Sequence, residues 1–221
     1  MAIDSYFFRW VVEARPGKTL YASSSAAYPI SLQREGYSRA LKENDIDFGG
    51  VLGQPDMTYG FAKLSGEYLA TLAARKYGLS VVCVRPFSGY GEDQDEAYPI
   101  PAIAARAARR ENPLHIWGPG TQGRDFVHIE DCIDLMLLAV ERISDGSAIN
   151  IGSGKLTTFY KVAEIFARIA GYSPRIVALG DRPTGVHTRY ADITGARALG
   201  WEPRIGLEEG LRGVYEAKSG R

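Results

Sequence analysis

The run from Leu79 to Phe87 (Leu-Ser-Val-Val-Cys-Val-Arg-Pro-Phe) is short, apolar and rich in valine. A strand with one wet face alternates apolar and polar residues, whereas a strand covered on both faces does not. The run therefore predicts a central strand of a parallel sheet. Ser88-Gly89-Tyr90-Gly91 closes it in a tight turn. Loops at the carboxyl ends of parallel strands are where such sheets take ligands.

The rest of the chain supplies the other layers. Residues 3–14 carry apolar side chains all round, as in a helix buried on two sides, and Pro16-Gly17 stops it. Thr19 to Ser24 reads as a second buried strand, followed by an irregular polar stretch to about Asp56. A helix runs from Thr58 to Tyr77, ended by Gly78. Its large apolar stripe is Phe61, Leu64, Tyr68 and Leu72, and its smaller one is Ala62, Gly66, Leu69, Ala70 and Ala73.

Further helices are expected at about 100–110, 130–143, 157–170, 194–199 and 207–216. Strands are expected at 115–117, 124–128, 148–152 and 175–179. Strands alternating with helices mean an α/β fold, and 221 residues suffice for one substantial core.

Formal net charge is zero and no Lys/Arg block stands out, which disfavours nucleic acid and anionic membrane as partners. No apolar run approaches the ~18 residues of a membrane span. Met1 to Ser5 lacks a basic signal-peptide region, and Cys83 and Cys132 fall in a strand and a helix. Both thiols suit a cytoplasmic location. His128 and His187 have no metal-ligand spacing with Cys, Asp or Glu, so no metal site is expected.

One pair carries candidate chemistry. If Tyr59 opens its helix, Lys63 lies one turn up on the same face. A free tyrosine has a pKa of roughly 10 and is a poor base. A neighbouring ammonium favours phenolate, and lowering the pKa by about three units needs roughly 4 kcal/mol. Ser25, just past the strand from Thr19, is placed to donate a hydrogen bond to the same substrate oxygen.

A strand ending in Ser23-Ser24-Ser25-Ala26-Ala27-Tyr28, a Tyr59-x-x-x-Lys63 helix, and Val81 to Phe87 follow in order. This order resembles the extended short-chain dehydrogenase/reductase family, and within it the NAD-dependent nucleotide-sugar epimerases and dehydratases. The resemblance implies a partial Rossmann-like parallel sheet from residues 1–87 and 130–152, with a smaller substrate-binding part from 88–129 and 153–221. It implies Ser25, Tyr59 and Lys63 as catalytic residues. Ser23, Tyr59, Lys63 and Pro86 would lie against NAD, and a hydride would leave the sugar carbon and return to its opposite face.

The same resemblance places Arg124, in Gly-Arg-Asp-Phe, and Arg182, in Asp-Arg-Pro-Thr-Gly, on the diphosphate of a nucleotide sugar. Guanidinium forks match phosphate oxygens in two-point geometry. Ser88 stands where the family usually has asparagine near the phosphates, and His115 lies in the segment beside the nucleotide base. Ala26 and Ala27 replace the acidic residue of sugar 4,6-dehydratases, and neither can transfer a proton. That leaves epimerisation, oxidation or reduction. A homodimer through helices 3–14 and 58–77 is implied as well.

One family feature is missing. No strand, glycine-rich turn and helix precede the catalytic pair, so the first βαβαβ unit is expected to be lacking. Gly118-Pro119-Gly120-Thr121-Gln122-Gly123 matches the fingerprint in spacing only. It precedes an alternating segment, Arg124 to His128, rather than a helix, and is read as a turn in the substrate-binding part.

Overall fold

The structure, a computed structural model, describes residues 1–180 and 185–220. In chain order its elements begin with α1 (Ala2–Ala14), β1 (Thr19–Ala22), α2 (Met57–Tyr77), β2 (Val81–Pro86), β3 (Ser88–Tyr90) and α3 (Pro99–Ala108). Next come β4 (Leu114–Trp117), β5 (Gly123–Arg124), β6 (Phe126–His128), α4 (Ile129–Arg142) and β7 (Asp145–Ile151). The last are β8 (Thr157–Thr158), α5 (Phe159–Ile169), β9 (Ile176–Leu179), β10 (Thr188–Arg189), α6 (Thr194–Ala198) and α7 (Leu207–Ser219).

The main sheet has the order β1-β2-β7, all parallel, with Tyr21 opposite Cys83 and Val84 opposite Ile149. β2 is central, and its first five residues are buried. Because side chains alternate across a strand, Tyr21, Val81 and Cys83 meet Phe8, Val11, Ala70 and Ala73 of α1 and α2. Val82 and Val84 meet Leu135 and Ala139 of α4 on the other face. The fold is thus a Rossmann-like α/β sandwich. A second apolar core gathers α3, α5 and α7 around the parallel pair β4 and β9.

The helix and strand pattern follows the sequence closely, with three corrections. α1 buries Phe8 and Val11 but leaves Ile3, Tyr6 and Trp10 exposed, so it is covered on one side within the chain rather than two. In α2 the buried set is mainly the small-residue stripe, while Phe61 and Tyr68 stay about half exposed. Ser88 to Tyr90, expected as a turn, is strand β3, paired in parallel with β6. Its glycine and short length hide the strand. Among the described residues no helix is long and apolar enough to cross a membrane.

Candidate active site

The carboxyl ends of β1 and β2 carry the candidate chemistry. After β1 the chain makes a short 3₁₀ turn, Ser25–Ala27, capped by the Ser24 hydroxyl, which accepts the Ala26 amide at 3.1 Å. Ser25 is buried in this turn. The start of α2 is pressed against it. The Asp56 amide donates to the Ala26 carbonyl at 2.9 Å, and the Gly60 amide donates to the Asp56 carbonyl at 2.9 Å. The approach of Gly60 to Ala26 leaves no room for a β-carbon. Tyr59 is thereby fixed beside the Ser25 turn, with its side chain open to solvent.

Lys63 sits one turn on, as the spacing predicts. Its Nζ lies 5.7 Å from the centre of the Tyr59 ring and 5.4 Å from that of Tyr21. It donates to the Ala22 carbonyl at 2.8 Å, at the end of β1. Tyr21 in turn fills the space over Gly66, where a β-carbon would meet its hydroxyl at 2.0 Å, and donates to Asp4 at 2.9 Å. The structure therefore brings Ser25, Tyr59 and Lys63 to one end of the sheet.

Ser23, expected beside a cofactor, points inward: its hydroxyl donates to the buried carboxylate of Glu67. Glu67 also takes Arg85 in a fork, with Nη2 at 2.7 Å from Oε2 and Nε at 3.0 Å from Oε1. Arg85 donates further to the Tyr28 hydroxyl and the Glu43 carbonyl, both at 2.9 Å, and Tyr28 donates to Asn150 at 2.6 Å. Burial works against the Arg85 charge, but Tyr28 and Glu67 outweigh it and hold the guanidinium above its ordinary range. This network ties the ends of β1, β2 and β7 beneath the Ser/Tyr/Lys group. Sequence reasoning missed it. The signals were there: a charge inside an apolar strand demands a partner, and Glu67 repeats the i, i+4 spacing from Lys63. Pro86 ends β2, half-buried.

The second set of residues lines a cleft of about 350 Å³, walled by Ser88, Arg106, Trp117, Gln122, Arg124 and Phe159. Ser88 is positioned by its amide, which donates to the Asp125 carbonyl at 2.9 Å. The Asp125 carboxylate is wholly buried and accepts the Ser153 and Gly154 amides, the Ser153 hydroxyl and the Ala191 amide within 3.0 Å. Burial nevertheless raises its pKa. Asp125 thus fixes β5, and with it Arg124, against the loop after β7 and the strand at β10. Arg124 donates to the Gly123 carbonyl at 2.8 Å. Burial and the neighbouring Arg189 push its pKa down to about 10, with Asp56 opposing them.

His115 is half-buried in β4, where its carbonyl accepts Arg106 at 3.0 Å, and it is not among the residues lining this cleft. Arg182 lies outside the described residues. Gly118 to Gly123 leads into strand β5 and not into a helix, which agrees with its reading as a turn.

Comparison with known proteins finds that the model of the NAD dependent epimerase/dehydratase family matches residues 3–152. The chain is 30% identical over 234 residues to a GDP-L-fucose synthase of Escherichia coli (strain K12), covering 98% of this chain and 71% of that one. It is similar to a UDP-glucose 4-epimerase of Thermotoga maritima solved with UDP-glucose: TM-score 0.84, 30% identity, 97% of this chain and 67% of that one. A UDP-glucuronic acid 4-epimerase from Bacillus cereus, solved with UDP-glucuronic acid and NAD, gives TM-score 0.83 and 26% identity, over 98% and 66% of the two chains. The chain spans 58% and 64% of the length of two further curated relatives.

Proposed function

The chain belongs to the NAD dependent epimerase/dehydratase family, and from that premise we propose that it epimerises a nucleotide-diphosphate sugar through a transient keto-sugar. The observation that carries this reading is the Lys63 ammonium beside the Tyr59 ring, with Ser25 on the turn against which their helix start is packed. Tyr59 is the general base that takes the sugar hydroxyl proton. Lys63 favours the phenolate, and Ser25 orients the hydroxyl. Arg124 anchors the diphosphate in the cleft, Ser88 lies beside it, and Arg182 and His115 complete the nucleotide contacts. The cleft belongs to the substrate-binding part, residues 88–129 and 153–221. The sheet of residues 1–87 and 130–152 carries the proton chemistry.

The residues present fit one half of NAD. Ala22 and Tyr59 are exposed at the sheet end. The Lys63 ammonium, which lies over the Tyr59 and Tyr21 rings and donates to the Ala22 carbonyl, has further N–H groups that a ribose hydroxyl can share. Ser23, directly after β1, and Pro86, at the end of β2, are assigned to the same half of the cofactor, although the Ser23 hydroxyl is committed to Glu67. Bound NAD would supply the hydride acceptor and donor. Two free buried thiols, Cys83 and Cys132, accord with a cytoplasmic setting.

The likeness to a GDP-L-fucose synthase favours a second reading, oxidation or reduction of a GDP-linked sugar by the same three residues. Calorimetric titration with NAD, UDP-glucose and a GDP-sugar, followed by assay of epimer formation and of NADH, separates the readings. Epimer formation lost in Tyr59→Phe supports the first, and net NADH turnover supports the second. Sugar-nucleotide binding with no NAD binding and no turnover would leave a non-catalytic binding module and sink both.

A further inference from the structure

β5 and β10 run parallel with Arg124 directly opposite Arg189. Neighbouring strands lie about 4.8 Å apart and register partners share a face, so two guanidiniums leave adjacent backbones on the same side. Arg189 is well shielded, with 12% of its side chain exposed. It donates to Asp56 at 2.6 Å and to the Gln33 side-chain oxygen at 2.5 Å. Burial lowers the pKa of both arginines, and Arg124 is lowered further by Arg189. Two like charges held side by side out of water are stabilised by an anion that accepts from both.

We infer that Arg189 is a further anion-binding guanidinium beside Arg124, which turns from Asp56 to a phosphate oxygen when a nucleoside diphosphate lies on Arg124. The inference rests on reading the cleft at Arg124 as the diphosphate site. It adds a residue that the sequence pattern did not single out, and it assigns a purpose to the Asp56 pair. Asp56 sits at a junction. Its amide holds Ala26, next to Ser25, and its carbonyl holds Gly60, next to Tyr59. The following residue, Met57, has φ 57°, a left-handed conformation uncommon for a side chain of that size. Release of Arg189 by Asp56 therefore acts at the junction between the Ser25 turn and the helix bearing Tyr59. The anion site and the proton-transfer site are joined through one carboxylate.

The test is binding of UDP and GDP to the full chain and to Arg189→Met, Arg189→Lys and Asp56→Asn, by calorimetry, with thermal melts as a fold check. Arg189→Met should weaken both diphosphates at least tenfold, and Arg189→Lys by less. Asp56→Asn should bind them as tightly as the parent or a few-fold more tightly, because it frees Arg189. A purely structural brace predicts the opposite for Asp56→Asn: both halves of the pair would weaken binding alike, and that result overturns the inference. Unchanged binding in Arg189→Met overturns it too. Should the parent chain bind neither diphosphate, the nucleotide reading of the cleft falls along with it.

Discussion

Gly60 and the carbonyl of Ala26 are packed so closely that a β-carbon on residue 60 would lie 2.1 Å from the oxygen and 2.9 Å from its carbon. The obstacle is backbone, so no side chain can swing aside. Gly60→Ala must lift the start of α2 off the Ser25 turn, separating Tyr59 from Ser25. We expect it to cost about 1–3 kcal/mol of stability, the range for overpacking, and to reduce turnover more than tenfold. Urea denaturation and a turnover assay measure the two, and a fully active variant of parental stability would mean that this contact does not set the site.

The Glu67–Arg85 pair is nearly solvent-free, with side-chain exposures of 2% and 3%. Removing one partner of such a pair leaves an uncompensated buried charge and typically costs about 3–5 kcal/mol. Arg85→Met and Glu67→Met should each fall in that range by urea denaturation. The double variant should recover a good part of the loss, because neither charge is then orphaned. A double variant as unstable as the sum of the two would show that the pair contributes only packing.

The residues that were easy to read share one property: their partners are close in sequence or their chemistry is periodic. The Val-rich run at β2, the helix stop at Gly78 and the Tyr59–Lys63 spacing are of this kind, and each lies where the pattern put it. What was hidden depends on contacts between distant segments. Glu67 meets Ser23 and Arg85, Arg189 meets Asp56, and Asp125 meets Ala191. Arg85 inside its apolar strand signals that a partner is needed, but no local pattern names that partner or distinguishes Arg189, Asp56 and Asp125 from surface charges. The 3₁₀ turns between β1 and α2 (Ser25–Ala27, Ile30–Gln33 and Glu43–Asp45) were illegible for a similar reason, since they rest on local bonds such as that from the Lys42 amide to the Asp45 carboxylate and not on a hydrophobic period. Ser23 illustrates the cost: it follows directly on β1, which ends at Ala22 rather than Ser24, and the direction of its hydroxyl is set by Glu67.

Burial raises the pKa of both cysteines, taking Cys132 up to about 12. Each folded thiol therefore holds its proton at pH values where the unfolded thiol, with a pKa of about 8.5, has lost it. The native state then binds more protons than the unfolded one, so stability falls as pH rises through that window. The slope is at most about 1.4 kcal/mol per pH unit for each group. Cys132→Ala should flatten the alkaline limb of stability between about pH 9 and 12, measured by urea denaturation at each pH. At pH 8 neither thiol should react with a disulfide reagent until denaturant is added, and rapid labelling of the native chain would contradict their burial.

The outer faces of α1 and α2 argue for a second copy of the chain. Ile3, Tyr6 and Trp10 follow one another at helical spacing on α1, and Phe61 and Tyr68 do so on α2. All are exposed: Trp10 to 52% and Phe61 to 50%. The two helices already pack together through Phe8, Val11, Ala70 and Ala73, so their exposed residues lie on a pre-formed pair. Large apolar side chains exposed on packed helices suit an interaction surface, and a two-fold axis would set the helix pair against its own copy in a four-helix arrangement. Sedimentation equilibrium should give twice the chain mass at micromolar concentration. Trp10→Glu or Phe61→Glu should shift it to a single chain with the fold intact by circular dichroism, since both side chains are already half in water. A monomeric parent, or a dimer indifferent to both substitutions, would remove this face from consideration.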